Sequence, residues 1–130
     1  LTNGITFNGV HSRTFNLVML TSKRPLLPEN KDTYIDIPHR DGSILIPDKS
    51  AKDIIIEVEF LIKRPANLYE AARNISRWLI TDDRVPLIFD DDPDYYYNAK
   101  VYGNIELEKV VKSGRFTVNF RCEPYPIRRK

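Results

Sequence analysis

The sharpest pattern in the chain lies between residues 53 and 63, DIIIEVEFLIK. A period of two places Ile54, Ile56, Val58, Phe60 and Ile62 on one face of a strand. Ile55 and Leu61 share the other face with Glu57 and Glu59. Shorter runs predict further strands. ITF (5–7) precedes an Asn8-Gly9 turn, and TFNLVML (14–20) is apolar on both faces, which predicts a buried strand. Residues 21–32, with Pro25 and Pro28, read as a long loop. TYIDIP (33–38) stops at Pro38 and ILI (44–46) at Pro47, with Asp41-Gly42 supplying the turn between them. VPLIFD (85–90) predicts another strand. AKVYGNIELEKV (99–110) and RFTVNFRCEPY (115–125) predict a pair joined at Ser113-Gly114.

One segment carries the other period. In NLYEAARNISRWLI (67–80), Leu68, Ala71, Ala72, Ile75, Trp78 and Leu79 recur at helical spacing and form one stripe. Asn67 is a suitable N-cap, and Glu70, three residues on, completes a capping-box-like pair. Arg73 and Arg77 fall off the stripe. Strands outnumber helices heavily. The predicted class is mainly β: an antiparallel β-sandwich or barrel with one flanking helix anchored by Trp78.

Length and composition leave this picture intact. The 130 residues fit one domain able to bury a core without staples. A net charge of +2, with acids and bases interspersed, gives no footprint of a nucleic-acid binder. The one basic cluster, Arg128, Arg129 and Lys130, is terminal and reads as solvated. The single cysteine, Cys122, excludes an intrachain disulfide. It follows Phe116, Val118 and Phe120 on one strand face, the position of a buried structural thiol. No apolar run reaches transmembrane length, and LTNGITFNGV has neither the charged nor the apolar region of a signal peptide.

The stretch FDDDPDYYYN (89–98) invites a chemical explanation, because four carboxylates fall within the five residues 90–94. An EF-hand loop counted from Asp90 would need Gly at position six and Glu at position twelve; Tyr95 and Val101 stand there. A magnesium site needs fewer ligands, so Asp90, Asp91, Asp92 and Asp94 stay open to weak divalent binding. Asp92-Pro93-Asp94 also reads as ordinary turn chemistry between two strands. Nothing in the spacing indicates a glycosidase pair of carboxylates across a sugar. Alternation puts Tyr95 and Tyr97 on one strand face and Tyr96 on the other.

Other sequence signals are weaker. HRDG (39–42) shares three letters with the kinase catalytic loop, but Gly42 and Ser43 follow where the motif needs Leu, and no Gly-rich phosphate loop occurs. His11 and His39 lack metal-ligand spacing, and there is no Gly-x-Ser-x-Gly elbow. No catalytic, cofactor-binding or metal-binding constellation emerges, and a non-enzymatic role with no cofactor is expected.

The order of the segments carries more information than any one motif. ITFNGVHSRTFNLVML, RPLLPENKDTYIDIPHRDGS, IIIEVEFLIKRPANLYEAARNISRWL, PLIFDDDPDYYYNAKV and GRFTVNFRCEPY, spanning about residues 5–125, resemble the N-terminal domain of siphophage distal tail proteins, a family also found in prophages of Gram-positive bacteria. The resemblance implies a β-sandwich with a flanking helix and a projecting hairpin, similar to tail-tube proteins. It implies a structural role: a hexameric hub ring joining the tail tube to the tail tip or baseplate, with a channel for DNA passage. Implied partners are further copies of the chain, the major tail tube protein, the tape-measure protein and the tail-tip protein. DNA would be cargo only, and no membrane is involved. The implied location is the virion tail, assembled in the bacterial host cytoplasm. Residues 1–125 would form the ring domain, and 126–130 would begin a linker to a C-terminal domain that this chain lacks.

Within this frame the acidic, tyrosine-rich edge suits contact between subunits. The candidate interface residues are Arg40, Asp41, Arg73, Arg77, Asp91, Asp92, Tyr95 and Tyr97, with the arginines supplying complementary charge. Segments 21–32 and 39–53 are candidate projecting elements. Two alternatives remain in view: a carbohydrate-binding or adhesin module using Tyr95, Asp92 and Trp78, and a small metal-dependent hydrolase using Asp90 to Asp94.

Overall fold

The computed structural model describes residues 4–48, 50–63 and 67–129. Residues 1–3 of the N-terminal stretch, Lys49 and Lys130 of the basic tail lie outside it, as do residues 64–66 before the predicted helix. The strands are β1 (Ile5–Phe7), β2 (Val10–His11), β3 (Leu17–Lys23), β4 (Thr33–Asp36), β5 (Ser43–Ile46), β6 (Ile54–Ile62), β7 (Val85–Phe89), β8 (Asp92–Tyr102), β9 (Arg115–Cys122) and β10 (Ile127–Arg128). Helices α1 (Leu68–Leu79) and α2 (Leu107–Ser113) and a 3-10 turn over Ser12–Phe15 complete the fold.

The main sheet runs β2-β1-β7-β8-β9-β6-β3, with β10 added against β8, and every pairing is antiparallel. The alternation of β6 holds residue by residue: Ile54, Ile56, Val58, Phe60 and Ile62 are buried. Phe116, Val118, Phe120 and Cys122 of β9 stand beside them. In a flat sheet Phe7 of β1 and Phe120 of β9 would lie three strand spacings apart, roughly 14 Å. Their ring centroids are 5.1 Å apart. The sheet therefore folds over on itself, and β1 and β7 face β6 and β9 across one core, as in a sandwich.

Helix α1 closes the open side of that core. Asn67 caps it, its side chain accepting from the Tyr69 and Glu70 amides, and Ile75, Trp78 and Leu79 are buried. The Trp78 Nε1–H donates to the Phe7 carbonyl at 2.9 Å, while its ring meets Phe7 edge-on and stacks on Phe15 at 4.9 Å.

Three expectations need correction. The run 14–20 is not one strand. Thr14 and Phe15 belong to the 3-10 turn, Asn16 takes a left-handed conformation (φ 57°) that caps it, and β3 starts only at Leu17. That strand is not fully buried either: Leu17 is in the core but Leu20 is exposed. The run 99–110 is not a strand throughout. Gly103 (φ 83°) ends β8, and the apolar residues beyond it serve helix α2, so the described residues hold two α-helices where one was expected. Ser113-Gly114 is accordingly a helix end, with the Gly114 amide (φ 69°) donating to the Val110 carbonyl at 2.7 Å. Finally, Asp92-Pro93-Asp94 is not the turn. Asp90 and Asp91 make it, and Asp92 already pairs with Phe89 in β8.

Strands β4 and β5 form a separate two-stranded ribbon and pair only with each other. Its base is stitched by the Asn30–Ala51 bridge, the Lys31 amide to the Ser50 carbonyl and the Lys52 amide to the Glu29 carbonyl. This is the projecting hairpin. His39 (φ 65°) and Gly42 (φ 76°) turn its tip.

Replacing Trp78 by Phe keeps most of the apolar bulk but leaves the buried Phe7 carbonyl without its donor. The expected cost is about 2 kcal/mol in urea denaturation. A loss too small to resolve would mean that the indole hydrogen bond does not hold the sheet closed.

Candidate functional site

The acidic hairpin is built from two clamps. Asp90 holds the N-terminal edge: its carboxylate accepts from the Gly4 amide at 2.9 Å and from His11 Nε2 at 2.8 Å, and its own amide donates to the Gly4 carbonyl. His11 Nδ1 accepts from the Arg13 amide, so Nε2 carries the hydrogen that meets Asp90. The space around Gly4 is tight. A Cβ there would sit 2.6 Å from Ser12 Oγ and 2.9 Å from His11 Cε1. Any side chain at residue 4 would push the clamp apart.

Asp91 makes the second clamp, a two-pronged pair with Arg24 at 2.9 and 2.6 Å. The Arg24 guanidinium lies over the Phe89 ring, 4.3 Å from its centroid. Hydrogen bonding to Arg24 holds the Asp91 carboxyl below its ordinary range, and the same bonds raise Arg24. Beyond Asp92, β8 leaves β7 for several residues: Asp92 faces Phe89, and Tyr97 is next in register with Leu87. The intervening Tyr95 and Tyr96 pair with Arg128 and Ile127 of β10 instead. Residues 127–128, expected to begin a linker, thus lie against the domain body.

The expected interface residues divide into groups. Arg40 and Asp41 are exposed at the hairpin tip. Arg73 and Arg77 are exposed on α1. Asp92 and Tyr95 are exposed on the acidic hairpin, whereas Asp91 is engaged by Arg24. Tyr97 is half-buried against the core, and burial raises its hydroxyl pKa. The three groups do not form one site within the chain. Among the described residues no group of three or more His, Cys, Asp or Glu is placed to hold a metal ion. Trp78 is buried with its N–H in use, so it offers no platform for a sugar. Cys122 is fully buried, and desolvation pushes its thiol up to about 12.

Two features stand outside those expectations. Asp53 accepts from Arg84 at 2.9 Å and Arg121 at 3.1 Å, joining β6 to β9 and the segment before β7 at the hairpin base. These residues are far apart in sequence, and no local pattern announces them. The second feature is the face of the projecting hairpin. The register pairs Thr33 with Ile46 and Ile35 with Ile44, so Ile35, Ile44 and Ile46 share one side with Ile37. Ile35, Ile37 and Ile46 are exposed. The alternation in TYIDIP and ILI carries this signal, but only register puts the two rows together.

The Asp91–Arg24 pair predicts a pH signature. A folded carboxyl with a depressed pKa stabilises the fold above its unfolded pKa, and the contribution is lost as pH falls through the folded value. Asp91→Asn is therefore expected to cost roughly 0.5–1 kcal/mol at neutral pH, the scale of a partly exposed pair. The gap to wild type should close below the ordinary carboxylate range. Denaturation curves showing the same gap at pH 7 and in strong acid would contradict this.

No curated protein gives a significant sequence match. Among solved structures, the crystal structure of SPP1 Dit (gp 19.1), described as a paradigm of the hub adsorption apparatus in phages infecting Gram-positive bacteria, superposes with a TM-score of 0.83 at 16% identity. The match covers 99% of this chain and 53% of that one, so the chain spans about half the length of its structural neighbour. At that identity the likeness speaks for the fold, a siphophage distal tail domain. The sequence itself matches the family described as the phage tail protein RIFT-related domain over residues 13–122. With most of its length matched and the same fold around the same core, the chain belongs to this phage tail protein family.

Proposed function

We propose that this chain is the ring-forming domain of a distal tail hub protein, with residues 1–125 building one sector of a hexameric ring. The ring would join the tail tube to the tail tip or baseplate and leave a channel through which DNA passes as cargo. Its neighbours would be the major tail tube protein, the tape-measure protein and the tail-tip protein, in a virion tail assembled in the host cytoplasm. Residues 126–130 would lead towards a further domain. The role is structural, and no step of it requires a catalytic group.

The observation that carries this reading is the β4–β5 hairpin. A two-stranded ribbon is marginal alone in water. This one exposes Ile35, Ile37 and Ile46 on one side and Tyr34 and Leu45 on the other. Leu26 and Leu27, in the segment leading to it, are 94% and 78% exposed. Apolar surface of this kind marks a site of assembly. A closed ring needs two different, complementary patches on every subunit. The hairpin supplies one. The exposed charges Arg73, Arg77, Asp92 and Tyr95's hydroxyl edge lie on other elements and are available to the second.

Light scattering over a concentration series tests the reading. The expected result is a species of six times the 15.2 kDa chain mass. The double variant Ile35→Asp/Ile46→Asp should shift that species towards monomer with its far-UV circular dichroism unchanged. A strict monomer at every concentration, in variant and parent alike, would contradict it.

A further inference from the structure

Asparagine is followed by glycine at two places in the chain, Asn3-Gly4 and Asn8-Gly9, one on each side of β1. Such a pair can lose the asparagine amide, because glycine has no Cβ to hinder its own backbone nitrogen from reaching the asparagine Cγ. The fold treats the two glycine nitrogens differently. Gly4 is buried, and its amide donates to the Asp90 carboxylate at 2.9 Å. Attack needs that nitrogen to give up its proton, and the carboxylate both holds the proton and repels the anion that would form. Gly9 is exposed, and a Cβ built on it would meet nothing within 4 Å. Among the described residues neither the Gly9 amide nor the Asn8 side chain has a hydrogen-bond partner. Asn3 itself lies outside the described residues.

We propose that Asn8 is a site of spontaneous covalent modification in the folded protein, its side chain converting to isoaspartate while the Asp90 clamp spares Asn3. The Gly9 nitrogen loses its proton to solvent and attacks Asn8 Cγ. A nitrogen–carbon bond forms, the Cγ–Nδ2 bond breaks, and ammonia leaves with a proton from water. The resulting five-membered imide takes up one water, which breaks one of its two ring carbon–nitrogen bonds. Breaking the bond at the backbone carbonyl carbon gives isoaspartate; breaking the bond at Cγ gives aspartate. One water enters and one ammonia leaves, with no oxidant or reductant.

Asn8 (φ 54°) and Gly9 (φ 79°) form the two-residue turn between β1 and β2. Ring closure requires rotation at Asn8, so the turn must open first. Little holds it. Strand β2 is two residues long and outermost in the sheet, paired only through Thr6 with His11 and Phe7 with Val10. The Asn8 amide is tied by one long bond, 3.3 Å, to the Pro86 carbonyl. Short edge segments of this kind open at small free-energy cost. The product matters because of its neighbours. Isoaspartate adds one methylene to the backbone next to Phe7, whose carbonyl receives the Trp78 N–H. A lengthened turn therefore pulls at the point where the sheet is held closed.

The test is to age the protein in mildly alkaline buffer, with and without unfolding urea, and to follow both sites by mass spectrometry. Trypsin releases residues 1–13 as one peptide ending at Arg13, and fragmentation within it separates Asn3 from Asn8. Enzymatic methylation of isoaspartate identifies the product. In buffer, Asn8 should convert at least tenfold faster than Asn3; in urea the two rates should come together. Asn3 converting as fast as Asn8 in buffer, or Asn8 converting only in urea, would overturn the site. The same preference for Asn8 in buffer and in urea would overturn the fold as its cause. This comparison needs no variant and decides by itself. Asp90→Ala, with its circular dichroism checked, should raise the Asn3 rate towards that of Asn8; an unchanged ratio in a folded variant would overturn the clamp as the protecting contact. The isoaspartate form, separated by ion exchange, should unfold at lower urea than the parent, and coincident curves would overturn the pull on the Phe7 edge.

Discussion

The fold depends on keeping a bent sheet closed. Its inner face is apolar because β6 and β9 alternate strictly, and burying that face supplies the main driving force. A sheet bent this far has to be held where its two halves meet. Phe7 meets Phe120 across the core, and Trp78 spans the opening with its N–H on the Phe7 carbonyl. Phe15, placed by the left-handed Asn16, stacks behind the indole. The clamps at the N-terminal edge continue this logic: Asp90 ties the acidic hairpin to Gly4 and His11. Asp90 and Asp91, two of the four carboxylates that invite a chemical explanation in the sequence, thus hold strand edges together.

With the body closed, two apolar surfaces stand open among the described residues. One is a ribbon too thin to bury its own side chains. The other is a groove between α1, α2 and the end of β8 whose walls are apolar. Both are apolar surfaces that the folded chain leaves open.

The sequence was most legible where one period ran long enough to be unambiguous. Strand β6 and helix α1, including its Asn67 cap, appear where their patterns put them. It was least legible where a single residue overrides a pattern. Asn16 and Gly103 adopt positive φ and cut short two runs that read as strands. Ile105 and Leu107 imitate a strand's period, but Leu107 and Val110 are spaced for α2. Contacts across long separations, such as Arg24 with Asp91 and Asp53 with Arg84 and Arg121, depend on topology that no local window contains. The isoleucine face was present as two half-patterns and became a surface only through register. Asp91 carried no local sign of its pairing: within the chain its carboxylate meets Arg24, 67 residues away.

The central claim is that this domain is a ring subunit. Negative-stain electron microscopy of the concentrated protein, sorted into class averages, tests it most directly. The account predicts closed particles with six-fold symmetry and a stain-filled central opening. Compact single particles without an opening, or open filaments in place of closed rings, would contradict it.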